Sequence, residues 1–262
     1  MIEVSHLTKK FGNFTAVNDI SFNVASGEMF ALLGPNGAGK STTIKMLTTL
    51  LKPSSGQLTL NGYDVVKQQD LTRKSFGIVF QDPSVDNDLT AFENMQLHAV
   101  MYGVSSKELK TRVKELMTLV ELWDRKDSLV KTYSGGMKRR LEIARGLLHH
   151  PRVLFLDEPT LGLDTQTRNL LWNYVGNLAH EKKMTILFTT HYLEEAEANA
   201  SRIAIIDHGK LLTIGTSEEL MKQTKTQSLE EAYLYLTGKE LRDEQADPHE
   251  VWRARQRSRT MR

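Results

Sequence analysis

Apolar and polar residues alternate from Ile2 to Leu7 and again from Val17 to Val24, the period of strands with one buried face. With the Gly12-Asn13 turn between them they predict an antiparallel pair. Phe11 precedes that turn, and core packing is its plainest role. Four later runs are apolar without alternation: Met29–Leu33, Phe76–Phe80, Val153–Leu156 and Met184–Phe188. Strands buried on both faces read this way. Turn signals at Lys52-Pro53-Ser54-Ser55-Gly56 and Asn61-Gly62 bracket a short strand, Gln57–Leu60. A helical pattern follows the Met29 run through Ile44 and Leu47. Helix then dominates from Ala91 to about Val130, where Leu109, Val113, Leu116 and Val120 share one face behind a Ser105–Glu108 capping box. Met137, Leu141, Ala144 and Leu148 mark the next helix, with Ser134 as N-cap. Thr165–His180 and 193–199 read as helices, and Ile203–Ile206 and Leu211–Ile214 as strands. Thr216 with Glu219 caps a further helix, and Ser228–Leu236 forms the last. The pattern predicts an α/β fold. A mostly parallel sheet has flanking helices, an N-terminal antiparallel β layer, and an α-helical subdomain inserted at about 88–150. Past Gly238 the chain turns polar and Arg-rich, with Arg253, Arg255, Arg257, Arg259 and Arg262. A disordered tail is expected over 241–262.

Composition adds exclusions more than assignments. At 262 residues the chain holds one large domain or two small ones. Hydrophobic content of 40% and charged content of 25% are ordinary for a globular protein. A net charge of +2 is too small to argue for nucleic acid. Cysteine is absent, which excludes disulfides and cysteine-ligated metals. Residues 1–6 lack the basic and apolar regions of a signal peptide, and no apolar run approaches the roughly 18 residues of a membrane span. The expectation is a soluble protein, or one held at a membrane by a partner.

The chemistry begins at Gly34-Pro35-Asn36-Gly37-Ala38-Gly39-Lys40-Ser41-Thr42, between the Met29–Leu33 strand and a helix. This is GxxxxGK[ST] in a strand–loop–helix setting, the phosphate-binding P-loop. Its glycines let backbone N–H groups curl around an anion, and the helix behind aims its positive end at the same place. Lys40 is expected to reach the β- and γ-phosphates, and the Ser41 hydroxyl to ligate Mg²⁺. Asp157 and Glu158 end an apolar strand, where buried charge must be paired or bind metal. In a P-loop protein such an aspartate holds Mg²⁺, and the next carboxylate is placed to polarise an attacking water. Gln81 and His191 also leave strand ends. If the sheet is parallel they share the carboxyl edge with Lys40 and Glu158, where open α/β sheets bind ligands. Lys138, Arg139 and Arg140 crowd the first turns of the helix after Ser134-Gly135-Gly136. The helix dipole disfavours cations there, so the segment suits a bound anion; a basic solvated face is the plain alternative.

In this order and spacing, the motifs resemble those of ABC-transporter nucleotide-binding subunits, from residue 2 to about 240. The resemblance implies a nucleotide-binding domain over 1–240, with Gln81 as the Q-loop glutamine and Tyr133-Ser134-Gly135-Gly136-Met137 as the signature. Asp157 ends the Walker B strand, Glu158 is the catalytic base, Asp164 closes the D-loop, and His191 is the switch histidine that senses the γ-phosphate. Phe11 stacks on adenine, and Val17 joins the nucleotide site. Gln81 assists Ser41 and Asp157 with Mg²⁺. Tyr133, Met137 and Gly162 depart from the commoner leucine, glutamine and alanine. The YSGGM form, followed by Lys138-Arg139-Arg140-Leu141, is similar to the daunorubicin-resistance-type drug and polysaccharide export branch. That branch implies an ATPase that dimerises head to tail on Mg-ATP. It drives a separately encoded integral-membrane permease from the cytoplasmic face of the cell membrane, without direct nucleic acid contact. The rival is a soluble ABC-type ATPase acting on ribosomes or nucleic acid. Those members carry two cassettes, coiled coils or zinc modules, and this sequence has one P-loop and one signature.

Overall fold

A computed structural model describes residues 1–238; the expected disordered tail at 241–262 lies outside the described residues. Strands β1 (Ile2–Phe11) and β2 (Phe14–Val24) form the predicted antiparallel hairpin, with Phe11 opposite Phe14. Both run further than the alternation suggested, because irregularities between Val4 and Lys10 break the period while pairing continues. Then follow β3 (Met29–Leu33), α1 (Lys40–Leu47), β4 (Ser55–Leu60), β5 (Tyr63–Asp64), α2 (Gln69–Ser75) and β6 (Phe76–Val79). Helices α3 (Ala91–Met101), α4 (Ser106–Leu119) and α5 (Gly135–Gly146) separate β6 from β7 (Val153–Asp157). The chain closes with α6 (Thr165–Lys182), β8 (Thr185–Thr190), α7 (Leu193–Asn199), β9 (Arg202–Asp207), β10 (Lys210–Gly215), α8 (Ser217–Thr224) and α9 (Leu229–Thr237).

One sheet is antiparallel, in the order β2-β1-β4-β5. The other runs β10-β9-β3-β8-β7-β6 and is parallel except for β10. The larger sheet is covered on both faces, which explains the unbroken apolar runs. Met29, Ala31 and Leu33 of β3 face a core shared with α3–α6, whereas Phe30 and Leu32 face the antiparallel layer and α1. Phe30 is fully buried and stacks on Phe22, with ring centroids 5.5 Å apart; burial of such a side chain stabilises the fold by about 1.5–3 kcal/mol. On α4, Val113 and Leu116 are buried, as is Val120 at its C-cap, and Leu109 packs against the same core. The capping box expected there is half made. Ser105 Oγ accepts the Glu108 N–H, but the Glu108 carboxylate meets His150 at 3.0 Å instead of returning. The full reciprocal box lies one helix earlier, between Thr90 and Glu93, and a second joins Thr216 and Glu219 as expected.

Candidate active site

Strand order assembles the site. Strands β3, β8, β7 and β6 are consecutive neighbours and parallel, so their carboxyl ends open on one edge. Lys40 and Ser41 follow β3, His191 follows β8, Asp157 ends β7 with Glu158 directly after it, and Gln81 follows β6. Residues far apart in sequence thus meet at the edge where such sheets bind ligands.

The P-loop is fixed from beneath by the N-terminal hairpin. Gly39 sits at φ 104, and a Cβ there would come within 2.6 Å of the Ala16 carbonyl oxygen and 3.3 Å of Val17 Cγ2. Val17 is fully buried and supports the loop from below. No side chain caps α1, whereas Thr90, Ser134, Asp164 and Thr216 cap later helices. The first N–H groups of α1 therefore have no side-chain acceptor, as a phosphate-binding helix start requires. Asn36 and Gly37 form the exposed rim, Ala38 is buried, and Pro35 O accepts the Ala38 N–H at 3.2 Å. Lys40 is only 4% exposed; its Nζ donates to Gly34 O at 2.7 Å and Pro35 O at 3.1 Å. Burial lowers its pKa, against the pull of Glu158 and Asp157. Ser41 and Thr42 complete the first turn, half-buried.

Two carboxylates face the loop. Asp157 Oδ1 accepts from Ser41 Oγ at 3.0 Å and from Thr189 Oγ1 at 2.7 Å. Burial raises its pKa, opposed by those hydroxyls. Glu158 Oε1 lies 3.2 Å from Lys40 Nζ, and Oε2 lies 3.2 Å from His191 Nδ1, close but off the hydrogen-bond line. Burial works against the Glu158 charge, but His191 and Lys40 outweigh it and hold the carboxyl below its ordinary range. The Glu158 backbone is left-handed, at φ 46, with its N–H donated to Thr189 Oγ1 at 2.9 Å. A non-glycine residue in such a conformation costs roughly 1–3 kcal/mol and persists only where its surroundings impose it. Thr189 was not singled out from the sequence; the available signal was a pair of hydroxyl residues, Thr189-Thr190, ending a core strand beside His191.

The remaining candidates divide. Gln81 is exposed, and its carbonyl accepts from Arg139 Nη2 at 2.8 Å. The cations at 138–140 bond within the chain and do not form a bare solvated face. Arg139 is buried, donates to Phe80 O and Gln81 O, and pairs with Glu142 at 3.1 Å. Lys138 donates to Asn87 Oδ1 at 2.7 Å and Arg140 to Val120 O at 3.0 Å. Glu142 in turn accepts the Ser84 N–H at 2.6 Å, so one face of α5 grips the loop from Phe80 to Asn87. The dipole cost at the helix start is met by these carbonyls and by Glu142. Ser134 Oγ caps α5 through the Met137 N–H, and Gly135 is exposed beside it. Gly136 is buried, and a Cβ there would strike Thr167 Cγ2 of α6 at 2.2 Å. Asp164 caps α6, accepting from Thr167 N at 2.9 Å and Thr167 Oγ1 at 2.8 Å. The signature thus lies against the start of α6. Phe11 is 49% exposed, so it is not a core residue; its edge-of-hairpin position takes it out of the sheet interface. Lys9 Nζ stands 5.0 Å from its ring centroid.

A parallel sheet whose central strand feeds a glycine-rich loop and a buried lysine, with a Walker-type aspartate on the next strand but one, defines a P-loop NTPase. The family model for ABC transporters matches residues 17–161. Over 220 residues, 84% of this chain and 70% of the relative, it is 43% identical to the linearmycin resistance ATP-binding protein LnrL of Bacillus subtilis (strain 168). Over 219 residues, 84% of this chain and 66% of the relative, it is 45% identical to the daunorubicin/doxorubicin resistance ATP-binding protein DrrA of Streptomyces peucetius. The fold superposes with a TM-score of 0.74 and 28% identity on a dimeric ATP-binding cassette in a post-hydrolysis state bound to ADP and Pi, covering 82% of this chain and 98% of that one. The chain belongs to the ATP-binding subunits of the ABC transporter family, and is an ATPase.

Proposed function

We propose that this chain hydrolyses Mg-ATP in a two-fold, head-to-tail dimer and thereby drives export of a small molecule, drug or polysaccharide through a separately encoded membrane permease. The observation that carries the reading is the convergence of Lys40, Glu158 and His191, with Ser41 and Asp157 beside them. Lys40 and the loop amides would hold the phosphates. Glu158, kept ionised by its neighbours, would orient the attacking water and take its proton. His191 would steady Glu158 and sense the γ-phosphate. Mg²⁺ suits the oxygen pair of Ser41 and Asp157, with Gln81 in the loop after the next strand, and would neutralise phosphate charge. Ser134, Gly135, Gly136 and Asp164 would complete the site of the other subunit. Phosphate release from Mg-ATP by the purified chain tests the reaction.

The drug-resistance names of the relatives support export. Among the described residues no helix is long and apolar enough to cross a membrane, and a membrane partner would hold the chain at the cytoplasmic face. Leu97, Val100 and Met101 leave an exposed apolar edge on α3. That helix is tied to the loop after β6 through Asn94, which bonds both the Asp86 N–H and C=O. An exposed apolar patch favours a partner surface, and the permease is the one the family requires. The ribosome or nucleic-acid reading has no comparable observation behind it.

The exposed Phe11 ring is available to a base. Phe11→Ala is expected to weaken ATP binding by about 1–3 kcal/mol, the range for base–aromatic stacking, with Phe11→Tyr nearly neutral. Titration of a fluorescent ATP analogue measures both. Unchanged affinity in the alanine variant would remove Phe11 from the site.

A further inference from the structure

Behind the site lies a buried carboxylate that touches none of its groups. Glu195 on α7 is 5% exposed. Its Oε1 accepts from Thr160 Oγ1 at 2.5 Å, and its Oε2 from Thr190 Oγ1 at 3.0 Å. Both threonines are 1% exposed. Thr160 lies two residues after Glu158, and Thr190 immediately precedes His191. The contacts therefore close a ring: Glu158 through the chain to Thr160, across Glu195 to Thr190, along to His191, and back to Glu158 at 3.2 Å. Arg168 braces it from outside. Its Nε lies 3.4 Å from Glu195 Oε1, and its guanidinium 4.9 Å from the Tyr192 ring centroid; the Tyr192 ring in turn lies 4.1 Å from that of His191.

We propose that Glu195 is a positioning residue for hydrolysis: it fixes the turn after Glu158 and the turn before His191 against each other, and so sets the approach of the two groups. This rests on the hydrolytic reading of Glu158 and His191. The geometry favours it over simple capping of α7. A carboxylate in the first turn of a helix gains from the dipole wherever it points, but this one directs one oxygen to each of two loops that flank the reacting groups. A buried carboxylate needs partners, and here they come from the two segments that must stay in register.

The test measures kcat, KM and ATP affinity for Glu195→Ala, Glu195→Gln, Thr160→Val and Thr160→Ser, beside Glu158→Gln. Misplacing a catalytic group by about 1 Å can cost on the order of 100-fold in rate, so Glu195→Ala is expected to lose kcat on that scale with KM and ATP affinity held. Thr160→Val, which keeps the volume and removes one arm of the ring, should also lower kcat, and Thr160→Ser, which keeps the hydroxyl, should restore it. Glu195→Gln retains an acceptor and should fall between wild type and alanine. Wild-type kcat in Glu195→Ala or Thr160→Val, or equal loss in Thr160→Val and Thr160→Ser, would overturn the proposal while the hydrolytic reading stands on a dead Glu158→Gln. A Glu158→Gln enzyme that turns over normally would instead overturn that reading, and this inference with it. If Glu195→Ala does not fold, the Thr160 pair alone decides.

Discussion

Glutamine at position 158 should leave the protein able to bind ATP and nearly unable to turn it over. Glu158→Gln keeps the shape of the side chain and one carbonyl oxygen but removes the charge that makes it a proton acceptor. A general base is worth roughly 10²–10⁴ in rate, and a loss of that size is expected in phosphate release. The native carboxylate sits between the Lys40 ammonium and the His191 ring, each at 3.2 Å. Those partners overcome the opposition of burial and keep it ionised well below neutral pH. Lys40 in the variant keeps its bonds to Gly34 O and Pro35 O, so the loop should hold its form. ATP bound without turnover should trap the closed dimer, visible by size exclusion as an ATP-dependent doubling of mass. Turnover near wild type would mean that another group activates the water.

Lys40→Ala is expected to abolish detectable Mg-ATP binding. Lys40 is a point charge directed at the phosphates from the first residue of α1, and Thr42 and the loop amides carry no full charge to replace it. The substitution also leaves Glu158 without its cationic partner at 3.2 Å. A buried carboxylate left with only His191 beside it would repel the incoming polyphosphate, so two electrostatic effects act in the same direction. Titration with a fluorescent ATP analogue reads the result, and affinity equal to wild type would take Lys40 out of the site.

Much of this was legible in the sequence. The unbroken apolar runs marked Met29–Leu33, Val153–Leu156 and Met184–Phe188 as strands buried on both faces, and the two faces of β3 do enter different cores. Local chemistry made Lys40, Ser41, Asp157 and Glu158 candidates. What the sequence could not give was strand order. That β8 lies between β3 and β7 is decided by long-range packing, and it is what sets His191 and Thr189 beside residues more than 30 positions away. The partners of the cations at 138–140 were hidden for a related reason. Helix-start electrostatics called for negative partners, but the carbonyls of Phe80 and Gln81 and the Glu142 carboxylate supply them from within the chain. Phe11 was ambiguous because alternation fails near the bulged end of β1, so periodicity there no longer reports which side is buried.

The central claim is that each ATP site joins the P-loop of one subunit to the Ser134-Gly135-Gly136 segment of the other. Its most direct test is ATP occlusion in a mixed dimer. Lys40→Ala disables a P-loop, and Ser134→Arg blocks the exposed start of α5. Each homodimer of these variants has two damaged sites. With Glu158→Gln added to both chains to stop turnover, differently tagged variants are combined and the heterodimer purified. Sites shared between subunits put both lesions in one site and leave the other intact; sites confined to one subunit leave both damaged. The account predicts one tightly held ATP per mixed dimer. No occluded ATP in a heterodimer verified as assembled would contradict it, and would return Ser134 to the role of a helix cap.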